Sequence, residues 1–212
     1  MKLLRLAFLS LGLLQVARAA DEPGMLLGAG ADEGEWKPLI ASLAAKGTLL
    51  APFTELRFFP FRREAMQLEG TLRISPERGL SLQYLKPDAN VLIADSSGLL
   101  LKDRRGAREM PAGSHQSGAV AALLPIMRFD FPALYPRFLI RASGTPAAWK
   151  FQFIPKDPEV AGSLGQITVE GVGNDVTHLE FRRSAKQRIE IEVGATRSGV
   201  PFTPAELAQF FR

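Results

Sequence analysis

Few side chains in this sequence could make or break bonds. The two histidines, His115 and His178, stand far apart, and there is no cysteine. That excludes disulfides, thiolate nucleophiles, iron–sulfur clusters and cysteine zinc sites. Ser114 precedes His115, but no acid stands near to orient the imidazole, so the pair reads as loop chemistry rather than a triad. No serine occupies a Gly-x-Ser-x-Gly elbow, and none stands three residues before a lysine. Glu190 and Glu192 alternate with Ile189, Ile191 and Val193, which puts them on the wet face of a strand. A glycosidase pair must instead converge across a cleft. Gly28, Gly30 and Gly34 approach a dinucleotide loop, but the third glycine is one residue late and no βαβ unit surrounds it. Arg62-Arg63, Arg104-Arg105 and Arg182-Arg183 are basic pairs that suit solvated turns and strand ends. A sharper reading sets some of them against anionic lipid headgroups. The expectation is a protein that is not an enzyme and holds no cofactor and no metal.

The elements that remain must therefore position apolar surface rather than a catalytic group. The chain has 212 residues, 46% apolar and 23% charged, an ordinary globular composition. Lys2 and Arg5 precede an apolar run from Leu6 to Val16, and Ala17-Arg18-Ala19 closes it with a small-x-small site. The run is too short for a membrane span of about 20 residues, and it reads as a cleavable secretory signal peptide over 1–19. Residues 20–212 are then a single exported domain, and a periplasm is the expected compartment. Without Lys2, Arg5 and Arg18 the net charge falls from +4 to about +1, which removes the argument for a nucleic-acid partner.

Asp21 to Gly34 is acidic and glycine-rich and reads as a flexible lead-in. Trp36, Leu39, Ile40 and Leu43 recur at helical spacing and predict a helix over about 35–46. Beyond Gly47 the period becomes two, with turn clusters such as Ser75-Pro76, Lys86-Pro87-Asp88 and Gly173-Asn174-Asp175 between apolar runs. Clean alternation means one wet face, hence antiparallel sheet with hairpin links, in about eleven strands. The rhythm breaks over 114–136, where Pro125, Pro132 and Pro136 interrupt a strongly apolar stretch read as one or two short helices. Thr203-Pro204-Ala205-Glu206 is a capping box that opens a terminal helix through Phe211. Such a sheet either fills its interior or, if wide or open, encloses a ligand cavity, and a broken apolar helical insertion is a candidate lid over it.

Ala51-Pro52-Phe53-Thr54-Glu55-Leu56-Arg57 and the stretch from Leu68 to Pro76 resemble the first-strand F-T-Q region and the G-x-L-x-x-x-x-P strand and turn of the LolA family of periplasmic carriers of outer-membrane lipoproteins. Gly79 to Pro87 is similar to its W-x-x-x-x-P strand and Leu92 to Gly98 to its L-V-S-D-G-K segment. Trp149 to Pro155 and the hairpin from Ile167 to Phe181 match its second half, so the resemblance covers about residues 36–193. Two departures indicate a divergent LolA-like branch. Ser75 stands where a basic residue typically precedes the turn proline and latches the lid, and Leu80 or Leu82 stands where the strand tryptophan is expected.

The resemblance implies a mainly β fold: an open, incomplete antiparallel β-barrel around a hydrophobic cavity, with a helical lid inserted mid-sheet. It implies a cavity for the acyl chains of a lipoprotein or lipid, ferried from the inner to the outer membrane. The expected lining is Phe53, Leu72, Ile74, Leu82, Tyr84 and Leu92 in the first half, and Phe151, Phe153, Phe181 and Ile191 in the second. The expected lid residues are Leu123, Leu124, Ile126, Met127, Phe129 and Phe131. Implied partners are an acylated cargo, an inner-membrane exporter and an outer-membrane acceptor, with the carrier itself a monomer. The alternatives are a lipoprotein-sensing or scaffold domain of the same fold, and a periplasmic hydrolase.

Overall fold

The computed structural model of the chain describes residues 24–28, 33–111 and 124–212. The first half of the chain contains β1 (Met25–Leu27), α1 (Trp36–Ala44), β2 (Leu49–Phe58), β3 (Met66–Ser75), β4 (Gly79–Lys86), β5 (Asn90–Asp95), β6 (Gly98–Asp103) and β7 (Gly106–Pro111). A helical turn at 124–127 and α2 (Phe131–Leu134) follow. The second half contains β8 (Phe138–Thr145), β9 (Ala148–Pro155), α3 (Pro158–Leu164), β10 (Gln166–Val172), β11 (Asp175–Ser184), β12 (Gln187–Val193), β13 (Arg197–Ser198) and α4 (Pro204–Phe210).

The strands form one antiparallel sheet in the order β1-β8-β9-β10-β11-β12-β2-β3-β4-β5-β6-β7, with β13 on β2. Strands β1 and β7 lie at its two edges and do not pair with each other, so the curled sheet stays open. The expected open, antiparallel, incompletely closed β architecture is the one observed, with thirteen strands among the described residues. Three short ones escaped the periodicity. β1 lies in the stretch read as a flexible lead-in, where Met25, Leu26 and Leu27 pair with Ala142, Arg141 and Ile140. β7 is too polar to show an apolar face, and β13 spans two residues. The terminal helix forms with both halves of its capping box in place, Thr203 and Glu206 exchanging bonds.

Helix α3 was not expected. Its signals are Asp157 capping the Glu159 amide, Pro158 in the first turn and Gly165 at the end with φ 70. No residue of it is buried, so there is no apolar period to find.

The concave face holds two apolar clusters. The first joins α1, the insertion and strands β8–β11 around Trp36, Phe131, Phe151 and Phe153. The Phe131–Phe151 and Trp36–Phe151 ring pairs meet edge-on at 5.3 and 5.7 Å. The second joins β2–β6 around Phe53, Leu72, Leu80 and Tyr84, and Met127, Ile191 and Val193 pack against both. On the convex face α4 lies over β3–β6. There the Arg73 guanidinium stacks 3.6 Å from the Phe210 ring centre, and Arg212 bonds Asp95 at 2.7 Å and Glu109 at 3.0 Å.

Gly70 shows how tightly the concave face is drawn. A Cβ there would stand 2.2 Å from the Gln83 carbonyl oxygen and 2.7 Å from the Phe53 ring. Gly70→Ala should therefore cost about 1–3 kcal/mol, as overpacking does. Thermal unfolding followed by circular dichroism checks this, and an unchanged midpoint would show that Phe53 yields freely.

Candidate functional site

A cavity of about 640 Å³ lies among the described residues. Sites that enclose most of a small ligand span about 300–1,000 Å³. Its walls come from both flanks of the curled sheet. Strands β2 to β5 contribute Phe53, Leu72, Leu80, Leu82, Tyr84 and Leu92. Strands β11 and β12 contribute Leu179, Phe181, Ile189 and Ile191, while Met127 and Leu164 reach in from the helical segments. Period-two alternation explains the set: Leu82 lies opposite Leu72 and Leu92, so three strands aim the same parity inward.

Of the residues expected to line a cavity, Phe53, Leu72, Leu82, Tyr84, Leu92, Phe181 and Ile191 lie in its wall. Ile74 lies outside that wall, in the second apolar cluster beside a smaller recess of about 100 Å³. Phe151 and Phe153 are fully buried in the first cluster. They share the concave face, but the insertion covers them: the Phe131 ring lies within 6.0 Å of both rings.

The residues expected in the lid divide in the same way. Ile126, Phe129 and Phe131 are buried in the first cluster, and Leu124 packs against the second. Met127 lines the cavity. Leu123 lies outside the described residues. Phe129 turns the chain with φ 52, a left-handed conformation rare outside glycine, and its buried ring meets Trp149 edge-on.

The described part of the insertion, residues 124–136, is bonded to the sheet and to the chain before α1 at two points. Tyr135 donates its hydroxyl proton to Glu33, and Lys156 donates to the Tyr135 carbonyl at 2.7 Å. Burial first, and then the bond to Glu33, push the Tyr135 phenol well above its ordinary pKa. Arg128, ahead of α2, donates to the Ser75 carbonyl at 3.3 Å. The bridging cation thus belongs to the insertion rather than to the strand end where Ser75 stands. Arg73 points to the opposite face, under α4. Arg128→Ala should speed hydrogen exchange at the Arg128 and Asp130 amides by about fivefold, the loss of roughly 1 kcal/mol. Exchange at β9 and β10 should stay unchanged, and uniform acceleration would contradict a local latch.

One feature of the cavity was missed in the sequence. Glu55 is only 2% exposed, on β2 beside Phe53. Its carboxylate accepts from the Arg57 guanidinium and from the Tyr84 hydroxyl at 2.8 Å, and Arg57 also donates to that hydroxyl at 3.2 Å. Burial alone would weaken the Arg57 charge, but its bonds to Glu55 and the Glu55 charge together raise its pKa. Burial and then Glu55 push the Tyr84 phenol far up, so the hydroxyl remains a donor. The signal was parity, since Glu55 and Arg57 share the inward face with Phe53.

No family model matches the sequence, and no curated protein sequence matches it. Solved structures are similar in fold at low identity. A LolA-superfamily protein from Nitrosomonas europaea is 6% identical, over 82% of this chain and 97% of that one, with a TM-score of 0.47. A putative outer-membrane lipoprotein-sorting protein domain from Vibrio parahaemolyticus is 9% identical over 82% and 94%, with a TM-score of 0.44. LprF from Mycobacterium bovis is 12% identical over 80% and 95%, with a TM-score of 0.36.

Proposed function

We propose that this chain is an exported carrier that takes the acyl chains of a lipoprotein or lipid into its cavity and ferries them from the inner to the outer membrane. The signal peptide over 1–19 and a single carrier domain over 20–212 belong to this reading. The observation that carries it is the cavity of about 640 Å³, walled by leucine, isoleucine and aromatic side chains from both flanks of an open sheet. Apolar walls of this kind suit an apolar ligand. Each buried CH₂ contributes about 0.8 kcal/mol, so a long acyl chain gains far more from such walls than from water.

The reading is of a binding protein rather than an enzyme. The carboxylate in the wall, Glu55, is engaged by Arg57 and Tyr84. Release without an energy source of the carrier's own requires filled and empty states of similar free energy. In this reading the segment around Met127, which packs against both apolar clusters and lines the cavity, differs between the two states.

The test is native mass spectrometry of the protein purified from the periplasmic fraction, followed by solvent extraction. An acylated passenger that a hydrophobic dye displaces is the expected result. A protein that carries nothing and ignores the dye would remove the carrier reading and favour a scaffold role.

A further inference from the structure

We infer that the cavity is polar at one end by design of its strands, and that this end is a subsite for the anionic head group of an amphiphile, held by Arg57 and Arg183. The inference rests on the acyl-chain reading of the same cavity and adds the charge class of its ligand.

The cavity wall changes character along its length. Near Ala51 on β2 the neighbouring lining residues are Leu72, Leu82 and Leu92, none of them charged, and Met127 packs against the same cluster. Six residues further along β2, about 20 Å at roughly 3.3 Å per residue, stands Arg57, opposite Ile189. Around it the lining includes Arg183, Gln187 and Arg188 from the β11–β12 hairpin and Ser163 from α3. The lining thus holds three guanidiniums against one carboxylate, all in the half of the wall away from Leu72, Leu82 and Leu92, among the rings of Phe58 and Phe59 and the side chains of Ile189 and Leu164.

These guanidiniums are not equivalent. Arg188 is already engaged, bonded to Glu190 at 2.6 Å and stacked 3.6 Å from the Phe58 ring centre. Arg57 is held in place by Glu55 and Tyr84, which use two of its five N–H donors and leave the others for a ligand. Arg183 is exposed at the rim and makes no ion pair or hydrogen bond among the described residues. It is the uncompensated charge of the lining. A fixed arginine deeper in the wall and a free one at the rim form a graded site for a phosphate or carboxylate, since guanidinium donors match such oxygens in pairs. The leucine end would take the tail.

The experiment uses displacement of a bound uncharged hydrophobic dye by three probes: hexadecyl phosphate, monopalmitoylglycerol and inorganic phosphate. The expected result is displacement by hexadecyl phosphate at about tenfold lower concentration than by monopalmitoylglycerol, with no effect of inorganic phosphate. Arg183→Gln should cut that preference to about threefold or less, and Arg183→Glu should abolish or reverse it. Salt should weaken it too, because Arg183 is exposed. Equal displacement by both amphiphiles would overturn the head-group subsite while leaving the acyl-chain cavity standing. Displacement by neither would overturn both readings. A preference that survives Arg183→Glu would overturn the assignment to this rim. Inorganic phosphate that binds alone and competes with hexadecyl phosphate would mean a free-anion site and would overturn the amphiphile.

Discussion

Leu82→Glu should lower the affinity for an apolar ligand by at least about tenfold while the sheet stays folded. Leu82 is half-buried and faces the cavity between Leu72 and Leu92. Removing its contacts forfeits about 1.5–3 kcal/mol of apolar burial. A carboxylate in that wall must also be desolvated when a tail arrives, which adds to the loss. Every 1.4 kcal/mol is tenfold in affinity, so the apolar term alone reaches that level. The fold should survive, because in the empty protein the new carboxylate can extend into the open cavity. Dye binding and far-ultraviolet circular dichroism decide the matter together. Retained dye affinity in a folded variant would show that ligands do not enter between β3, β4 and β5.

Phe151→Ala should have the opposite signature, a large loss of stability. Phe151 is fully buried, with ring contacts to Trp36, Phe131 and Trp149 at 5.0–5.7 Å. Truncating such a phenylalanine costs about 3–5 kcal/mol, because transfer free energy is lost and a void is left. For a chain of this size that is a fall in Tm of about 6–20 °C. Phe181→Ala provides the comparison. Its ring is half-buried and lines the cavity. Little new void forms where space already exists, so its stability cost should be about 1 kcal/mol. Comparable falls in Tm for the two variants would mean that the cavity half is packed like the other half in solution.

The contrast between Phe151 and Phe181 also shows where sequence reasoning stops. Both residues alternate with polar neighbours on strands of the second half, and both face the concave side. Whether that side is filled depends on the insertion. Residues 124–134 come from between β7 and β8, at opposite regions of the sheet; Ile126, Phe129 and Phe131 settle over β8–β10, while Leu124 and Met127 reach the apolar face of β2–β5. No local pattern encodes that choice, because Ile126, Phe129 and Phe131 would satisfy the same period over either half. The Glu55–Arg57–Tyr84 cluster is a partial case. The inward parity of its two charges was readable, but the partner Tyr84 arrives through the pairing of β3 with β4, which places Tyr84 opposite Gly70.

What the sequence determines by itself is therefore the face and the class. Side chains on a strand alternate whatever surrounds them, so hydropathy with period two identifies an antiparallel sheet with one apolar side. Capping chemistry is equally local, which is why Thr203 to Glu206 announces α4. The tertiary structure alone decides how the apolar side is divided between packed core and open cavity, and which arginines meet at one end of it. Those outcomes depend on contacts between elements far apart in the chain, and such contacts form only once the whole sheet has curled.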